Sequence, residues 1–547
     1  MAERKIIILL SGEIGAGKST LSKRLEEKFN FKVLRTREAI AELRKKHMRE
    51  NPGDRSFLQE GGAALDKIDG GKWVLDFFQE QFKLSREDDR LFVIDSVRIA
   101  SQIQHFRKAY NHIVFHIHLL ASPEILKERY MQRDEVASLE ANEAEQKYEE
   151  SKRDLTEMQV GSLSAEADLC INTELSTPED VVVRIASFLK LLAPTGGKLV
   201  DVLVGGQFGS EGKGQISAHI APEYDCLVRV GGPNAGHTVY EEPEKHVFHL
   251  LPSGCYRNQH AKLLLGPGTV INADKLLEEI AKYRVADEFS RRLVIDENAI
   301  IISEQDIALE EANKTKISST AQGVGAATAT NIVARLWAET KHKAKYHPKL
   351  QPFIGSTFDE LEAMYRDNKK ILLEGTQGTG LSLHHGLYPY VTSRDTTVSG
   401  CISEAGISPM RINKIIMVAR TYPIRVGGTS GDFQSKEIDL DIIAHRSGLD
   451  PEVLKKREIT TTTKKARRIA EFNWSLFRKA CELNSPTDIA LTFVDYFSKE
   501  NEKARRYDQL TPETRQFIEE VERCSGVKVS LISTGFDYRA IIDRRNW

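Results

Sequence analysis

Lys5-Ile-Ile-Ile-Leu-Leu-Ser-Gly-Glu-Ile-Gly-Ala-Gly-Lys-Ser-Thr20 is an unbroken apolar run that opens into a glycine loop and then into a helical pattern. The same grammar returns at Leu199-Val-Asp-Val-Leu-Val-Gly-Gly-Gln-Phe-Gly-Ser-Glu-Gly-Lys-Gly214. A short run of branched aliphatics predicts a strand buried on both faces, as in a parallel sheet covered by helices. Two such openings predict an α/β protein: two P-loop-type, doubly wound, mostly parallel sheet domains in tandem. Ala193-Pro-Thr-Gly-Gly197 is the breaker cluster between them, and the boundary is placed near Pro194. The domains expected are residues 1–193 and 196–547.

Outward from the first loop, Leu91–Ile94 and Ile113–Leu119 read as further buried strands and Pro123–Arg133 as a helix. Glu135–Asp154, rich in Glu and Lys, reads as a solvated helix or a lid. The 547 residues carry 77 Lys+Arg against 79 Asp+Glu, a net charge of −2, which gives no overall attraction to a polynucleotide. With 40% hydrophobic and 29% charged residues, and a mean hydropathy of −0.37, the chain has the composition of a soluble protein with no membrane span. The charged start followed by so short an apolar run does not suit a secretory signal, so a cytoplasmic location is expected. Six cysteines without C-x-x-C spacing point to neither a disulfide framework nor a zinc cluster.

Gly12-Glu-Ile-Gly-Ala-Gly-Lys-Ser19 fits G-x-x-x-x-G-K-[ST] in the strand–loop–helix context that the motif requires. Gly12, Gly15 and Gly17 let backbone N–H groups face phosphate, Lys18 reaches the outer phosphates, and Ser19, followed by Thr20, offers a hydroxyl to Mg²⁺. Around this loop, Arg55-Ser-Phe-Leu-Gln-Glu-Gly61 and Val93-Ile-Asp-Ser-Val-Arg98 resemble segments of the phage-type deoxynucleoside monophosphate kinases, and Glu128-Arg-Tyr-Met-Gln-Arg133 resembles the lid arginines of the wider kinase superfamily. That resemblance, over about residues 5 to 190, implies a kinase-like domain in which Asp95 orients Mg²⁺ or the acceptor. Arg37, Arg98, Arg129 and Arg133 would then neutralise phosphoryl charge. The plainer alternatives are a helix cap at Asp95 and a solvated helix face for Arg129 and Arg133.

The second loop is followed by Asn234-Ala-Gly-His-Thr238, His249-Leu-Leu-Pro-Ser-Gly254, Gly266-Pro-Gly-Thr-Val270, Glu374-Gly-Thr-Gln-Gly378, Tyr388-Pro-Tyr-Val-Thr-Ser393 and Ile532-Ser-Thr-Gly535. In this order, from Val200 to Trp547, the segments resemble the adenylosuccinate synthetases, in the short form found in archaea and phages. The family makes adenylosuccinate from IMP, L-aspartate and GTP with Mg²⁺, as a homodimer. The resemblance implies that Gly209, Gly212, Lys213 and Gly214 hold the donor phosphates, with Asp495, Ser533 and Gly535 on the donor side. It implies Mg²⁺ at Ser210 and Gly236, and His237 as the acid facing the purine O6. Asn234, Thr320, Gln377, Leu381 and Thr392 would surround the purine nucleotide, and Arg335 would reach the neighbouring subunit's substrate. Thr462, Thr463, Lys465 and Arg467, in Thr460-Thr-Thr-Thr-Lys-Lys-Ala-Arg-Arg468, would bind aspartate. Hydroxyls and guanidinium forks suit a dicarboxylate; the alternative is an edge strand with a basic end.

Three positions depart from the family pattern. Ser210 stands where the family has a catalytic aspartate, Lys465 where it has an arginine, and Phe493 where a lysine packs on the donor guanine. A serine at that position and a Thr-x-x-x-Lys loop resemble the phage 2-aminoadenylosuccinate synthetases, which use dGMP and an adenine-nucleotide donor. The expected activity is therefore ligation of L-aspartate to C6 of a purine nucleoside monophosphate, (d)GMP with ATP, beside a (d)NMP kinase-like activity. The alternatives are a conventional IMP and GTP enzyme, toward which Asp495 argues, and a nucleotide sensor.

Overall fold

The computed structural model describes residues 5–47, 55–85, 89–133, 136, 141–152, 159–192, 196–283, 292–316, 318–460 and 465–545. The chain divides into two compact units, Met1–Leu192 and Ala193–Trp547. Pro194, the expected boundary, lies outside the described residues, as do parts of Glu135–Asp154.

In the first unit β1 (Ile6–Gly12), β2 (Lys32–Leu34), β3 (Leu91–Ile94), β4 (Val114–Leu120) and β5 (Leu169–Asn172) form one parallel sheet in the order β2-β3-β1-β4-β5. Alternate residues of β1 feed opposite cores. Ile6, Ile8 and Leu10 pack with Leu21, Leu25 and Ile117, whereas Ile7 and Leu9 pack with Phe78, Phe92 and Phe106. Both faces need apolar side chains because helices cover both, hence the unbroken run. The strand order reverses beside β1, and the glycine loop leaves the carboxyl end of that strand, the usual ligand position in open α/β sheets.

Beneath this loop the core is polar. Ser11 Oγ lies 2.6 Å from His116 Nε2 and 2.7 Å from His118 Nδ1, with all three residues buried. Burial pushes both histidines down to about 4 from the usual 6.5. The unfolded chain therefore takes up these protons first as pH falls. Stability is complete above about pH 6.5 and declines toward pH 4, by up to about 1.4 kcal/mol per pH unit for each histidine. Hydrogen-exchange protection of β1 and β4 peptides, corrected for intrinsic rate, should accordingly be lower at pH 5 than at pH 8. Equal protection at the two pH values would refute this assignment.

The second unit is built on a ten-stranded sheet. In spatial order its strands are Ile354–Gly355, Leu293–Asp296, Lys262–Leu265, Cys226–Arg229, Ile371–Glu374, Val200–Gly205, Ile412–Arg420, Asp488–Thr492, Val529–Ser533 and Ile541–Asp543. All pairings are parallel except the last. Val200, Val202 and Val204 face one core and Leu203 the other. Asp201, the single acid in that strand, is satisfied by Tyr224 Oη at 2.7 Å and Asn413 Nδ2 at 2.9 Å. The hairpin His237–Glu241/Glu244–Phe248 and a three-stranded antiparallel sheet, Ile424–Val426, Arg467–Ala470 and Glu437–Ile438, complete the β structure that bears on the site.

Candidate active site

Both glycine loops end in a glycine in the left-handed region, Gly17 at φ 92° and Gly212 at φ 90°. Each is the N-cap of the helix that follows, Lys18–Phe29 and Lys213–Ile220. A left-handed cap turns the chain so that the first helical N–H groups point out of the loop, and those groups with the helix dipole favour an anion.

In the first unit Lys18 Nζ donates to the carbonyls of Gly12 at 2.5 Å and Glu13 at 3.1 Å. Asp95, just past β3, accepts from the Thr36 N–H at 3.1 Å, at the start of the helix Thr36–His47 that follows β2. It thus holds a helix N-terminus, as the cap alternative requires, while standing within reach of the field of Arg37, Lys18 and Arg35. Burial raises its pKa against these cations. Arg129 is engaged elsewhere, donating to Thr173 Oγ1 at 2.8 Å and to the Thr173 carbonyl at 2.9 Å, which ties the helix Pro123–Met131 to the end of β5. Arg133 lies over the Tyr130 ring at 5.1 Å. Arg98 offers its backbone N–H to Gln102 at 2.8 Å. The side chains of Arg55–Glu60 lie outside the described residues.

In the second unit the loop folds around a buried carboxylate. Glu211 accepts from the N–H groups of Gln207 (3.1 Å) and Gly209 (2.8 Å) and pairs with Lys213 Nζ at 2.6 Å. Glu211 is 0% and Lys213 2% exposed. A Cβ at Gly205 would stand 2.5 Å from the Gln377 carbonyl and 2.8 Å from Lys213 Nζ, so only glycine lets the loop close over the lysine.

Beside this loop opens a cavity of about 510 Å³. Gly209, Ser210, Asn234, Gly236, His237, Thr320, Gln377, Leu381, Thr392, Thr460 and Arg467 are all in its lining. His237 gives its Nδ1 side to Glu374, which also pairs with Arg229 at 2.9 Å and accepts from the Ser253 N–H at 2.7 Å. Burial, reinforced by Arg229, pushes His237 down to about 4 although Glu374 pulls the other way. Burial of Glu374 is outweighed by Arg229 and His237, which hold it at about 2. Three buried atoms of this lining, His237 Nε2, Asn234 Oδ1 and Gln377 Oε1, have no hydrogen-bond partner among the described residues. The Asn234 and Gln377 amide nitrogens both face Thr392 Oγ1, at 3.4 and 2.7 Å. Buried polar atoms without partners mark places that a ligand completes.

Thr462 and Thr463 lie outside the described residues. The ends of their loop are fastened by Thr460 N–H to the Lys465 carbonyl at 2.9 Å and Lys465 N–H to Thr460 Oγ1 at 2.8 Å. Arg467 pairs with the buried Glu458 at 3.0 Å, which also binds Arg420 at 2.7 Å and Tyr496 Oη at 2.7 Å. Asp495, Ser533 and Gly535 stand outside the cavity lining, as does Arg335, on the exposed turn Arg335–Trp337.

Residues that the motif reading left without a role are therefore Glu211, Arg229, Glu374, Arg420, Arg425 and Glu458. Arg425 lies over the Phe208 ring at 4.4 Å in the cavity wall, its pKa lowered to about 10 by burial and then by Arg468. Arg229, Glu374 and Arg420 are each the last residue of a parallel strand. That is where such sheets deliver their sites, and the position was available as a signal.

A phosphate loop with a buried lysine, next to a cavity holding a carboxylate-backed histidine, defines a nucleotide-dependent enzyme that activates its substrate by phosphoryl transfer. The family model for adenylosuccinate synthetase matches residues 202–336 and 333–502, and the chain belongs to that family. The enzyme from Methanococcus aeolicus is 36% identical over 353 residues, 63% of this chain and 99% of its own length. That from Pyrococcus horikoshii is 35% identical over 354 residues, again 63% of this chain and 98% of its own length. Among solved structures, cyanophage S-2L succinoaminodeoxyadenylate synthetase, bound to dGMP and dATP as an energy donor, matches at 28% identity and a TM-score of 0.52. The match covers 64% of this chain and 96% of that one. The Plasmodium falciparum adenylosuccinate synthetase shares the fold at 24% identity and a TM-score of 0.55, over 64% of this chain and 100% of that one. The N-terminal unit matches the AAA domain model over residues 8–148 and is a P-loop, kinase-like domain. The protein is thus an adenylosuccinate synthetase-type ligase with such a domain in front. No helix among the described residues is long and apolar enough to cross a membrane.

Proposed function

We propose that the second unit joins L-aspartate to C6 of (d)GMP at the expense of ATP, giving 2-amino-(deoxy)adenylosuccinate. The observation that carries this reading is the pair of partnerless amide oxygens in the cavity lining. Asn234 Oδ1 and Gln377 Oε1 lack donors among the described residues, and Ser210 puts a small neutral hydroxyl where a carboxylate would crowd a 2-amino group. The carboxylate of the described lining, Glu310, is already spent on the N–H groups of Gly323 at 2.9 Å and Gly325 at 2.7 Å. An N–H-rich purine edge satisfies these acceptors better than the bare C2–H of hypoxanthine. The cyanophage S-2L relative, bound to dGMP and dATP, supports the same assignment.

In this reading the donor γ-phosphoryl passes to O6, which turns a poor leaving group into a good one. The aspartate amine then adds at C6 and phosphate departs. Lys213 and the Gly212 cap hold the donor phosphates, His237 carries a proton at O6, and Arg467 and the Thr460–Lys465 loop hold the aspartate carboxylates. Mg²⁺ fits here: Ser210 Oγ and the Gly236 carbonyl are hard oxygen donors on one cavity, and Mg²⁺ takes its other ligands from phosphate and water. When bound it supplies positive charge to the phosphoryl oxygens. We further infer that the first unit phosphorylates a (d)NMP, with Lys18 and Ser19 on the donor phosphates and Mg²⁺ and with Asp95, Arg37 and Arg98 toward the acceptor. The ligase acts as a homodimer, which the exposed apolar residues Ile332 (56%), Leu336 (68%) and Trp337 (69%) around Arg335 support.

Turnover of dGMP, GMP and IMP by the full chain with aspartate and ATP, read by product mass, tests the acceptor. Product from dGMP or GMP is expected, and turnover of IMP alone would overturn the reading. Ser210→Asp should move kcat/KM toward IMP by about tenfold or more, since a carboxylate would both crowd the 2-amino group and take the N1 proton.

A further inference from the structure

On the donor side of the second unit, Asp495 stands on the short turn Val494–Tyr496, directly after the strand Asp488–Thr492, and is 0% exposed. Its Oδ2 pairs with Arg457 Nη1 at 3.2 Å, and its Oδ1 has no hydrogen-bond partner among the described residues. The same guanidinium reaches Glu502 at 3.6 Å and lies over the Phe536 ring, 5.0 Å from its centroid. The Phe536 and Phe493 centroids are 6.1 Å apart, and Phe493 Cε2 would lie 3.5 Å from a Cβ at Gly212. This aromatic pair therefore adjoins the cap of the helix that carries Lys213, the helix on which the reading above places the donor phosphates.

We propose that Arg457 selects the base of the phosphoryl donor: by occupying the Asp495 carboxylate it excludes guanine and favours adenine. The inference rests on the ligase reading above with ATP as donor, and it assigns the discrimination to an ion pair. Guanine reads a carboxylate through two donors, N1–H and N2–H, and needs both oxygens. One of these is taken, and the guanidinium sets its own N–H groups against the N–H edge of guanine. Adenine offers the reverse, an N1 lone pair for a guanidinium N–H and an N6 amino hydrogen for the remaining Oδ1. Phe536, already stacked on the guanidinium, and Phe493 supply the apolar walls for the ring.

The test is kcat/KM for ATP and for GTP with saturating dGMP and aspartate, in the full chain and in its R457A, D495N and R457A/D495N variants. The wild type is expected to prefer ATP. R457A should raise the GTP-to-ATP ratio by about tenfold or more, the worth of one charge-assisted hydrogen bond, and the double variant should return it toward the wild-type value. A ratio in R457A within twofold of a wild type that prefers ATP would remove Arg457 from selection and leave the ligase reading standing. A wild type that prefers GTP would overturn the ATP reading itself, and this inference with it. Should R457A fail to fold with Asp495 unpaired, R457Q is read the same way.

Discussion

Replacing His237 by asparagine is expected to lower kcat for ligation by about 10²–10⁴, the range a positioned proton carrier contributes. The geometry leaves His237 one task. Its Nδ1 side is fixed by Glu374, and its Nε2, buried in the cavity lining, has no partner among the described residues. With its pKa near 4, the ring is neutral at pH 7 and presents a lone pair at Nε2. A phosphoryl group brought against that nitrogen favours the protonated ring, and Glu374 is placed to stabilise the imidazolium so formed. Asparagine keeps a hydrogen-bonding group for Glu374 but carries no proton, so KM should change much less than kcat. A kcat within tenfold of wild type, for a variant with unchanged thermal unfolding, would show that His237 is not the proton carrier. Glu374→Gln is the companion measurement. It removes the group that raises the histidine's proton affinity and leaves Arg229, which lowers it, so the alkaline limb of the kcat profile, on which the protonated ring is lost, should move to lower pH.

That Glu374 matters in this way was not readable from the motif that contains it. Glu374-Gly-Thr-Gln-Gly378 could be recognised as a segment, but its partners Arg229 and His237 are 145 and 137 residues away in the chain, and no local periodicity links them. The parallel sheet links them by placing the ends of Cys226–Arg229 and Ile371–Glu374 side by side in register. Likewise Arg420, Glu458 and Tyr496 come from three separate segments and meet only in the folded site. What could be read was local. The apolar runs Ile6–Leu10 and Val200–Val204 carry the strand signal because both sheet faces are covered, and the glycine loops carry the phosphate signal because their backbone must turn inward. Glu211 shows where local reading stops. It lies inside the quoted loop, but its pairing with Lys213 two residues on depends on Gly212 standing at φ 90°, which spacing alone does not reveal. Arg129 shows the converse, since a plausible lid arginine proves to hold Thr173.

The lysine exchanges separate the two units functionally. Lys18→Met should reduce aspartate-independent phosphoryl transfer to a (d)NMP by about 10²–10³, the usual cost of removing one preorganised charge from a transferring phosphoryl group. It should leave aspartate-dependent ligation within twofold. Lys18 Nζ rests on the carbonyls of Gly12 and Glu13, oxygens of the loop's own backbone, so it is already held over the phosphate position. Methionine keeps the stem's packing and removes the charge. Lys213→Met should give the opposite result, abolishing ligation and sparing NMP phosphorylation, although its structural cost is higher. Lys213 is paired in the interior with Glu211, and removing one partner of a buried pair leaves an uncompensated charge worth about 3–5 kcal/mol. The double substitution Glu211→Gln/Lys213→Met therefore accompanies it as the stability control. Both activities are measured on the full chain with ATP, Mg²⁺, aspartate and a mixed pool of deoxynucleoside monophosphates, each product identified by mass. If wild-type protein forms no nucleoside diphosphate from any member of the pool, the first unit is not a kinase and its P-loop serves nucleotide binding alone. If Lys18→Met instead removes ligation together with NMP phosphorylation, the ligase depends on the first unit's nucleotide site, and the independence of the two activities is refuted.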